Sequence, residues 1–474
     1  MTRAGLRTRG PVLAIVAAAT ALYTAHGVLR YAAFHSPAYD LGFFDQLTAN
    51  LSAGRGWSSS FIGYDFRGEH WEPILLAWSL LYRLVQTPLW LVVINSVALG
   101  VAPWAAWRLA RAWLGDGHPA ALVAAVATAL SPLVLTTAAF DYHSEALTPV
   151  LALLALDAAH RRRWLAFAAC CAVLLLLKED AFLVVAGIGW VVWRVERTRA
   201  GLLVAVAAVA GFVLVVGVFM PALRGGGGSD LLARYGYLAA GGHATGPGEV
   251  LAGMVTHPGT WAAHLVSGPA LAGLALALLP LALLPLLSGW ALLAVVPVLA
   301  VALLSGDADQ AGLHFQYGAE SFPLLLACAL LGWRRAEALA IRVRGDAAHA
   351  YSRRVVAVVA LVAAALAVPL AVDVGARVAD VDGLDRSSAV AAVLHAVPDG
   401  AAVAASTGLV AHLSDRAVVT EVPDLRGARW VVVDSVVAPS TQALDAGYAA
   451  TVAQLSASFH MVASAAGVTV WERT

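Results

Sequence analysis

Apolar runs close to 20 residues long recur from residue 11 to residue 374, separated by short polar segments. Runs of that length match the hydrocarbon thickness of a bilayer, so the pattern predicts a polytopic α-helical membrane protein. The expected spans are roughly 11–31, 88–110, 119–139, 146–160, 164–178, 181–195, 201–222, 262–284, 289–304, 319–333 and 355–374, eleven in all. The segment Pro73–Leu84 is too short to cross and is expected to lie in the outer interface or to lead obliquely into the second span. After about residue 375 the pattern changes. Valine-rich stretches at Ala401–Ala405, Ala417–Val422, Trp430–Asp434 and Val468–Trp471 alternate with helical-looking pieces at Ser387–His395 and Thr441–Ser458. That alternation predicts a small α/β domain over 375–474, following a transmembrane domain over 1–374.

Arginine orients the spans. Arg3, Arg7 and Arg9 precede the first; Arg108 and Arg111 follow the second; Arg161, Arg162 and Arg163 follow the fourth; Arg194, Arg197 and Arg199 follow the sixth. Arg334, Arg335, Arg342, Arg344, Arg353 and Arg354 lie between the tenth and the eleventh. With the N-terminus inside, every group is cytoplasmic. The first span is expected to be an uncleaved anchor, because Arg30 and Tyr31 follow the small residues near Ala25 without a clear cleavage consensus. The expected location is therefore the bacterial inner membrane, with the first loop (about 32–72) and the C-terminal domain outside.

Composition agrees. Hydrophobic residues make up 60 % of the chain and charged residues 13 %, with a mean hydropathy of +0.78; an ordinary soluble domain is about a quarter charged. The formal net charge of +0 selects no partner, and no nucleic-acid signature, Walker motif, zinc spacing or internal repeat is visible. Cys170, Cys171 and Cys328 all lie in apolar runs and read as small packing residues, not as a disulfide framework.

Lys178 is the only lysine in the chain. It ends the apolar run Trp164–Leu177 and is followed at once by Glu179 and Asp180. One reading is a lysine snorkelling at a membrane boundary. The other is a compact ammonium gripping a phosphate, a task that needs no planar fork. The company favours the second. The first outer loop carries Asp40, Asp45, Asp65, Glu69, His70 and Glu72; the third span ends in Asp141, His143 and Glu145; the ninth ends in Asp307, Asp309, His314 and Gln316. All of these map to the outer side, and ionisable groups at the edge of membrane segments usually mark function. Tyr39–Leu47 is expected to start an amphipathic helix lying in the outer interface, with Phe44, Leu47 and Leu51 on one face and Asp40 able to cap it.

These residue types suit transfer of a sugar from a polyprenyl phosphate. That reaction needs a carboxylate to deprotonate the acceptor hydroxyl, and a cation, or a metal held by carboxylates and histidines, to stabilise the departing phosphate. Asp40 is the candidate base, with Asp45 and Asp141 next. Lys178 is the candidate phosphate clamp. His70, Glu72, His143, Glu145, Glu179, Asp180 and His314 complete the candidate substrate-binding set, and a divalent metal is a candidate cofactor with no assigned ligands. A transporter or flippase of a lipid-linked precursor would instead carry ionisable groups near mid-span together with inverted repeats. A non-catalytic assembly protein would use its outer domain to bind glycan.

The stretches Tyr39-Asp40-Leu41-Gly42-Phe43-Phe44-Asp45-Gln46, His70-Trp71-Glu72-Pro73, Phe140-Asp141-Tyr142-His143, Lys178-Glu179-Asp180 and His412-Leu413-Ser414-Asp415-Arg416 stand in this order. Together they resemble the bacterial membrane family called domain of unknown function 2079, over nearly the whole chain. That family looks like a remote relative of the C-type glycosyltransferases, which include protein mannosyltransferases and lipid A aminoarabinose transferases. The resemblance implies a glycosyltransferase C-like fold, an acidic catalytic residue near the start of a long first outer loop, and a polyprenyl-phosphate-linked sugar as donor. The acceptor would be a cell-envelope glycan, lipid or protein. Asp40 matches the acidic position by place. No Asp-x-Asp or Asp-Glu pair stands there, so metal dependence stays open.

Overall fold

The helices fall where the apolar runs predict them. In the computed structural model, which describes residues 9–225, 229–239, 241–244, 246–344, 383–436 and 446–474, Arg9–Ala32 and Leu89–Leu114 pack side by side. Gly100 permits that approach, since a Cβ there would lie 2.2 Å from Thr20 Oγ1. Ala120–Ala138 continues the bundle with a break just before Pro132. Thr148–His160, Trp164–Leu174, Ala181–Glu196, Arg199–Arg224 and Phe322–Arg344 follow. The protein is thus mostly helical, with several apolar helices and a small C-terminal sheet.

The expected count of eleven is not reproduced by helix length. Among the described residues four helices are long and apolar enough to cross a membrane, and up to six if each of two bent pairs counts as one span. The bends are sharp, 61° between Pro258–Leu265 and Gly268–Leu281, and 95° between Leu284–Ala294 and Val296–Leu303. Their cause is local. The first falls at Val266 and Ser267, where Ser267 is extended ahead of Pro269, and the second at Val295, ahead of Pro297; between the two pairs Ala282 and Leu283 sit in the left-handed region, and inside Leu284–Ala294 Gly289 takes a non-helical φ of 63°. Other apolar helices are short, 13 residues for Thr148–His160, 11 for Trp164–Leu174 and 16 for Ala181–Glu196. The expected span 355–374 and the expected domain boundary at 375 lie outside the described residues.

The C-terminal unit holds a five-stranded sheet in the order β2-β1-β3-β5-β4. Its strands are β1 (Val403–Ala405), β2 (Val419–Glu421), β3 (Trp430–Asp434), β4 (Phe459–Ala465) and β5 (Val468–Arg473). β1 pairs in parallel with β2 and β3, whereas β5 runs antiparallel to β3 and β4. Four strands match the valine-rich stretches. β4 was not anticipated, because an edge strand with Met461 and Val462 about half exposed carries no strong apolar signal.

The helix expected in the outer interface is instead enclosed. Phe43–Ser52 buries nine of its ten residues, among them the polar Asp45, Gln46, Thr48 and Asn50. The C-terminal unit covers it. Ser414 Oγ donates to Asp45 Oδ2 at 2.6 Å. Gln46 Nε2 reaches the carbonyls of Arg416 and Ala417 at 3.2 and 3.3 Å. Ser60 Oγ bridges the backbone of Val419 in β2. His412 stacks on Tyr31 at 4.0 Å, and Phe34 and Ala38 join the core of the sheet. The His412–Arg416 stretch is therefore a clasp on the first loop. Arg416 itself bonds the carbonyls of Pro398 and Ala401.

Candidate functional site

The clasp positions Asp40. One wide helical turn, Ala38–Gly42, joins the first helix to Phe43–Ser52. Ala38 N donates to Thr407 Oγ1 at 2.9 Å, and Gly42 lies so close to Val410 that a Cβ would meet it at 2.7 Å. Asp40 does not cap the helix; no side-chain cap bond forms at either start. Its carboxylate turns inward, with Oδ1 at 3.5 Å from His143 Nε2. His143 follows the Pro132–Ala138 helix, and its ring sits between Phe44 at 5.3 Å and Phe140 at 5.5 Å.

Lys178 lies in the turn between Trp164–Leu174 and Ala181–Glu196. It is 8 % exposed, and its Nζ donates to Glu145 Oε1 at 2.5 Å. That burial excludes the snorkelling reading. An ammonium has three donors, so two remain beyond the bond to Glu145. The His70–Pro73 turn packs on the same segment. Glu179 accepts from Trp71 N at 2.9 Å and meets His70 Nδ1 at 2.9 Å, and Trp71 Nε1 donates to the Leu175 carbonyl.

Asp40, His70, Glu72, His143, Glu145, Lys178 and Asp180 line one cavity of about 450 Å³. Four other proposed site residues do not. Asp45 is tied behind the wall to Tyr82 Oη at 2.6 Å and to Ser414. Asp141 holds Arg30 at 3.2 Å and Ser36 at 2.7 Å. Glu179 is the support for His70 and Trp71, and His314 pairs at 3.0 Å with Asp309, both half-exposed. The first three position the wall. They were grouped with the cavity residues because sequence adjacency does not reveal which way a turn points its side chains.

The cavity also holds groups that were not assigned a role: Glu69, Asp230, Arg234, Gln310, Gln316, Tyr317 and Glu320. Arg234 Nη1 donates to Gln310 Oε1 at 2.8 Å and Tyr317 Oη at 3.1 Å. Glu69 takes Tyr64 Oη at 2.7 Å and lies 3.8 Å from Arg224. Glu320 had a legible signal, a lone carboxylate just ahead of an apolar run. Four buried oxygens on this wall have no hydrogen-bond partner among the described residues: Glu72 Oε2, Glu145 Oε2, Gln316 Oε1 and Glu320 Oε1. Each is a buried acceptor on a residue that lines the cavity.

Burial first, and then the Asp141 charge, push the Asp40 carboxyl up to about 7 despite the opposing pull of Arg30. Burial pushes the His143 imidazole down to about 4, so it is neutral near pH 7. Burial alone would raise the Glu145 carboxyl, but the Lys178 ammonium overrides it and holds it at about 2. The pair Asp40 and His143 thus offers a carboxylate that changes protonation near neutrality beside an uncharged imidazole, the condition for a general base. The wall carries seven carboxyl groups, Asp40, Glu69, Glu72, Glu145, Asp180, Asp230 and Glu320, against the cations Lys178 and Arg234. Among the described residues no three His, Cys, Asp or Glu side chains are grouped to hold a metal ion, so no step is routed through one.

A helical membrane protein with a polar, carboxylate-rich cavity between its first loop and its bundle is the class these features define. Within that class the chain belongs to the family described as predicted membrane protein (DUF2079), whose model matches residues 30–470. No curated protein matches it. Among solved structures it is similar to ArnT from Cupriavidus metallidurans bound to undecaprenyl phosphate, at 14 % identity and a TM-score of 0.46 over 98 % of each chain. It is also similar to the apo state of that protein, at 16 % identity and a TM-score of 0.43 over 98 % of each chain. Likeness at this level carries nothing about the residues of the cavity.

Proposed function

We propose that the protein is an integral membrane glycosyltransferase that moves a sugar from a polyprenyl-phosphate donor to a cell-envelope acceptor on the extracytoplasmic face. The observation that carries this reading is the meeting of Asp40 and Lys178 in one cavity whose wall also carries Glu69, Glu72, Glu145, Asp180, Asp230 and Glu320. Sugar hydroxyls are the donors such a wall would satisfy. Asp40 takes the proton of the acceptor hydroxyl; the acceptor oxygen then bonds to the anomeric carbon. The bond from that carbon to the phosphate oxygen breaks, and its electron pair leaves with the phosphate beside Lys178 and Arg234. His143, held between two aromatic rings, orients Asp40.

The same reading places the N-terminus in the cytoplasm, the apolar runs as eleven spans of the bacterial inner membrane, and the C-terminal unit outside. The alternation of arginine groups supports that orientation. It also treats residues 1–374 as a glycosyltransferase C-like membrane domain and 375–474 as a second domain that clasps the first loop. The test is transfer of labelled sugar from polyprenyl phosphate by the full-length protein in proteoliposomes. Absence of transfer from every donor tried, with movement of a labelled lipid between leaflets, would replace this reading with a transporter.

A further inference from the structure

A second cavity, of about 380 Å³, lies at the far end of the helices that frame the first. Ala181–Glu196 starts beside Lys178 and Asp180 and ends at Arg194 and Glu196. Its 16 residues separate the two ends by about 24 Å. Phe322–Arg344 likewise follows Glu320 and carries Arg334 and Arg335 farther along. The second cavity is lined by Arg194, Arg197, Arg334 and Arg335, with Trp290 and Ser288 from the kinked segment between them.

Its charge is unbalanced. Among the described residues no carboxylate pairs with any of the four arginines; the nearby Glu196 and Glu337 are taken by His160 and His118. Four guanidinium groups around one space repel each other unless an anion enters. The kink at Gly289 builds the site. It brings the Leu287 carbonyl to 3.0 Å from Arg335 Nη1 and leaves Ser288 buried at 2 % exposure beside Cys328. Trp290 beside it is 67 % exposed, an aromatic ring of the kind that sits at the headgroup level of a bilayer.

The geometry points to a binding site for the phosphate headgroup of an anionic phospholipid, on the face opposite the carboxylate cavity. Arginine forks match phosphate oxygens in pairs, and Trp290 packs on the glycerol and upper acyl region. This inference does not rest on sugar transfer. A free phosphate presents the same chemistry, so the experiment separates the two sources.

Full-length protein in neutral detergent is titrated with short-chain phosphatidylglycerol, short-chain phosphatidylcholine and inorganic phosphate, and adducts are counted by native mass spectrometry. The variant is Arg194→Gln with Arg334→Gln, which keeps Arg335 and its contact with the kink. Saturable binding of phosphatidylglycerol, none of phosphatidylcholine, and at least about tenfold weaker binding in the double variant are expected, since one charge-assisted hydrogen bond suffices for that loss. Displacement of the lipid by millimolar inorganic phosphate would overturn the lipid assignment in favour of a free phosphate. Equal binding by wild type and variant would overturn the site. Should the double variant not fold, Arg194→Lys with Arg334→Lys keeps the charge, and undiminished preference for phosphatidylglycerol over phosphatidylcholine with no loss of affinity would count against fork recognition.

Discussion

Asp40→Asn keeps the size of the side chain and an oxygen for His143 while removing the basic carboxylate. If Asp40 is the general base, transfer falls by about 10²–10⁴-fold, a barrier increase of about 2.7–5.5 kcal/mol. The wild-type pH profile follows from the same environment. With the carboxyl at about 7, about half of the molecules carry the ionised base at pH 7, about a tenth at pH 6 and about nine-tenths at pH 8. The base acts only when ionised, so kcat/KM rises with pH and at pH 6 is about a fifth of its value at pH 7. Two neighbours then displace the profile in opposite directions. Asp141→Asn removes a charge that raises the Asp40 carboxyl, so the rise moves to lower pH; Arg30→Met removes one that lowers it, so the rise moves to higher pH. The assay is initial-rate transfer of labelled sugar in proteoliposomes across the neutral range. Full transfer by Asp40→Asn, or displacement of both neighbour variants in one direction, would refute the assignment of Asp40 as base.

The buried Lys178–Glu145 pair makes a stability prediction: Lys178→Met should cost about 3–5 kcal/mol by leaving the carboxylate uncompensated, and adding Glu145→Gln should recover most of it in thermal unfolding in detergent. Lys178→Arg keeps the charge but puts a planar fork in a site that is 8 % exposed, so donor use should fall although the protein folds. Burial raises the Asp45 carboxyl to about 7 against the lowering bonds from Ser414 and Tyr82. A folded value above the unfolded one means that its stabilisation is complete below about pH 4 and declines as pH rises towards 7. Asp45→Asn should therefore flatten the pH dependence of protease resistance at the clasp over that window. For topology, cysteine labelling from the outer side should reach a probe at Ser387 and miss one at Ala347; the reverse would invert every outer-face assignment.

Much of the architecture was legible because it depends on local patterns. Runs of apolar residues predict helices wherever water is excluded, and short valine-rich stretches predicted β1, β2, β3 and β5. The helix count was less legible. The bends at Ser267 and Val295 fall within otherwise uniform runs, and their angles depend on how the flanking helices pack. The charged clusters were legible as chemistry, since ionisable groups at the ends of apolar runs are costly unless they pair or bind ligand. Their partners were not.

Sequence by itself determined a membrane-spanning helical body, its small α/β partner, and the short stretches that carry charge at span ends. Tertiary structure alone decided which of those charges face the cavity. Asp40 and Asp45 lie five positions apart, yet one turns to His143 and the other to Ser414, because the connection between β1 and β2 packs against the turn and the helix that carry them. Glu179 and Asp180 are adjacent, yet one supports His70 and the other lines the wall. Side-chain direction in a turn is set by the surfaces that close over it. Here those surfaces come from segments hundreds of residues away, whose contacts no local pattern encodes.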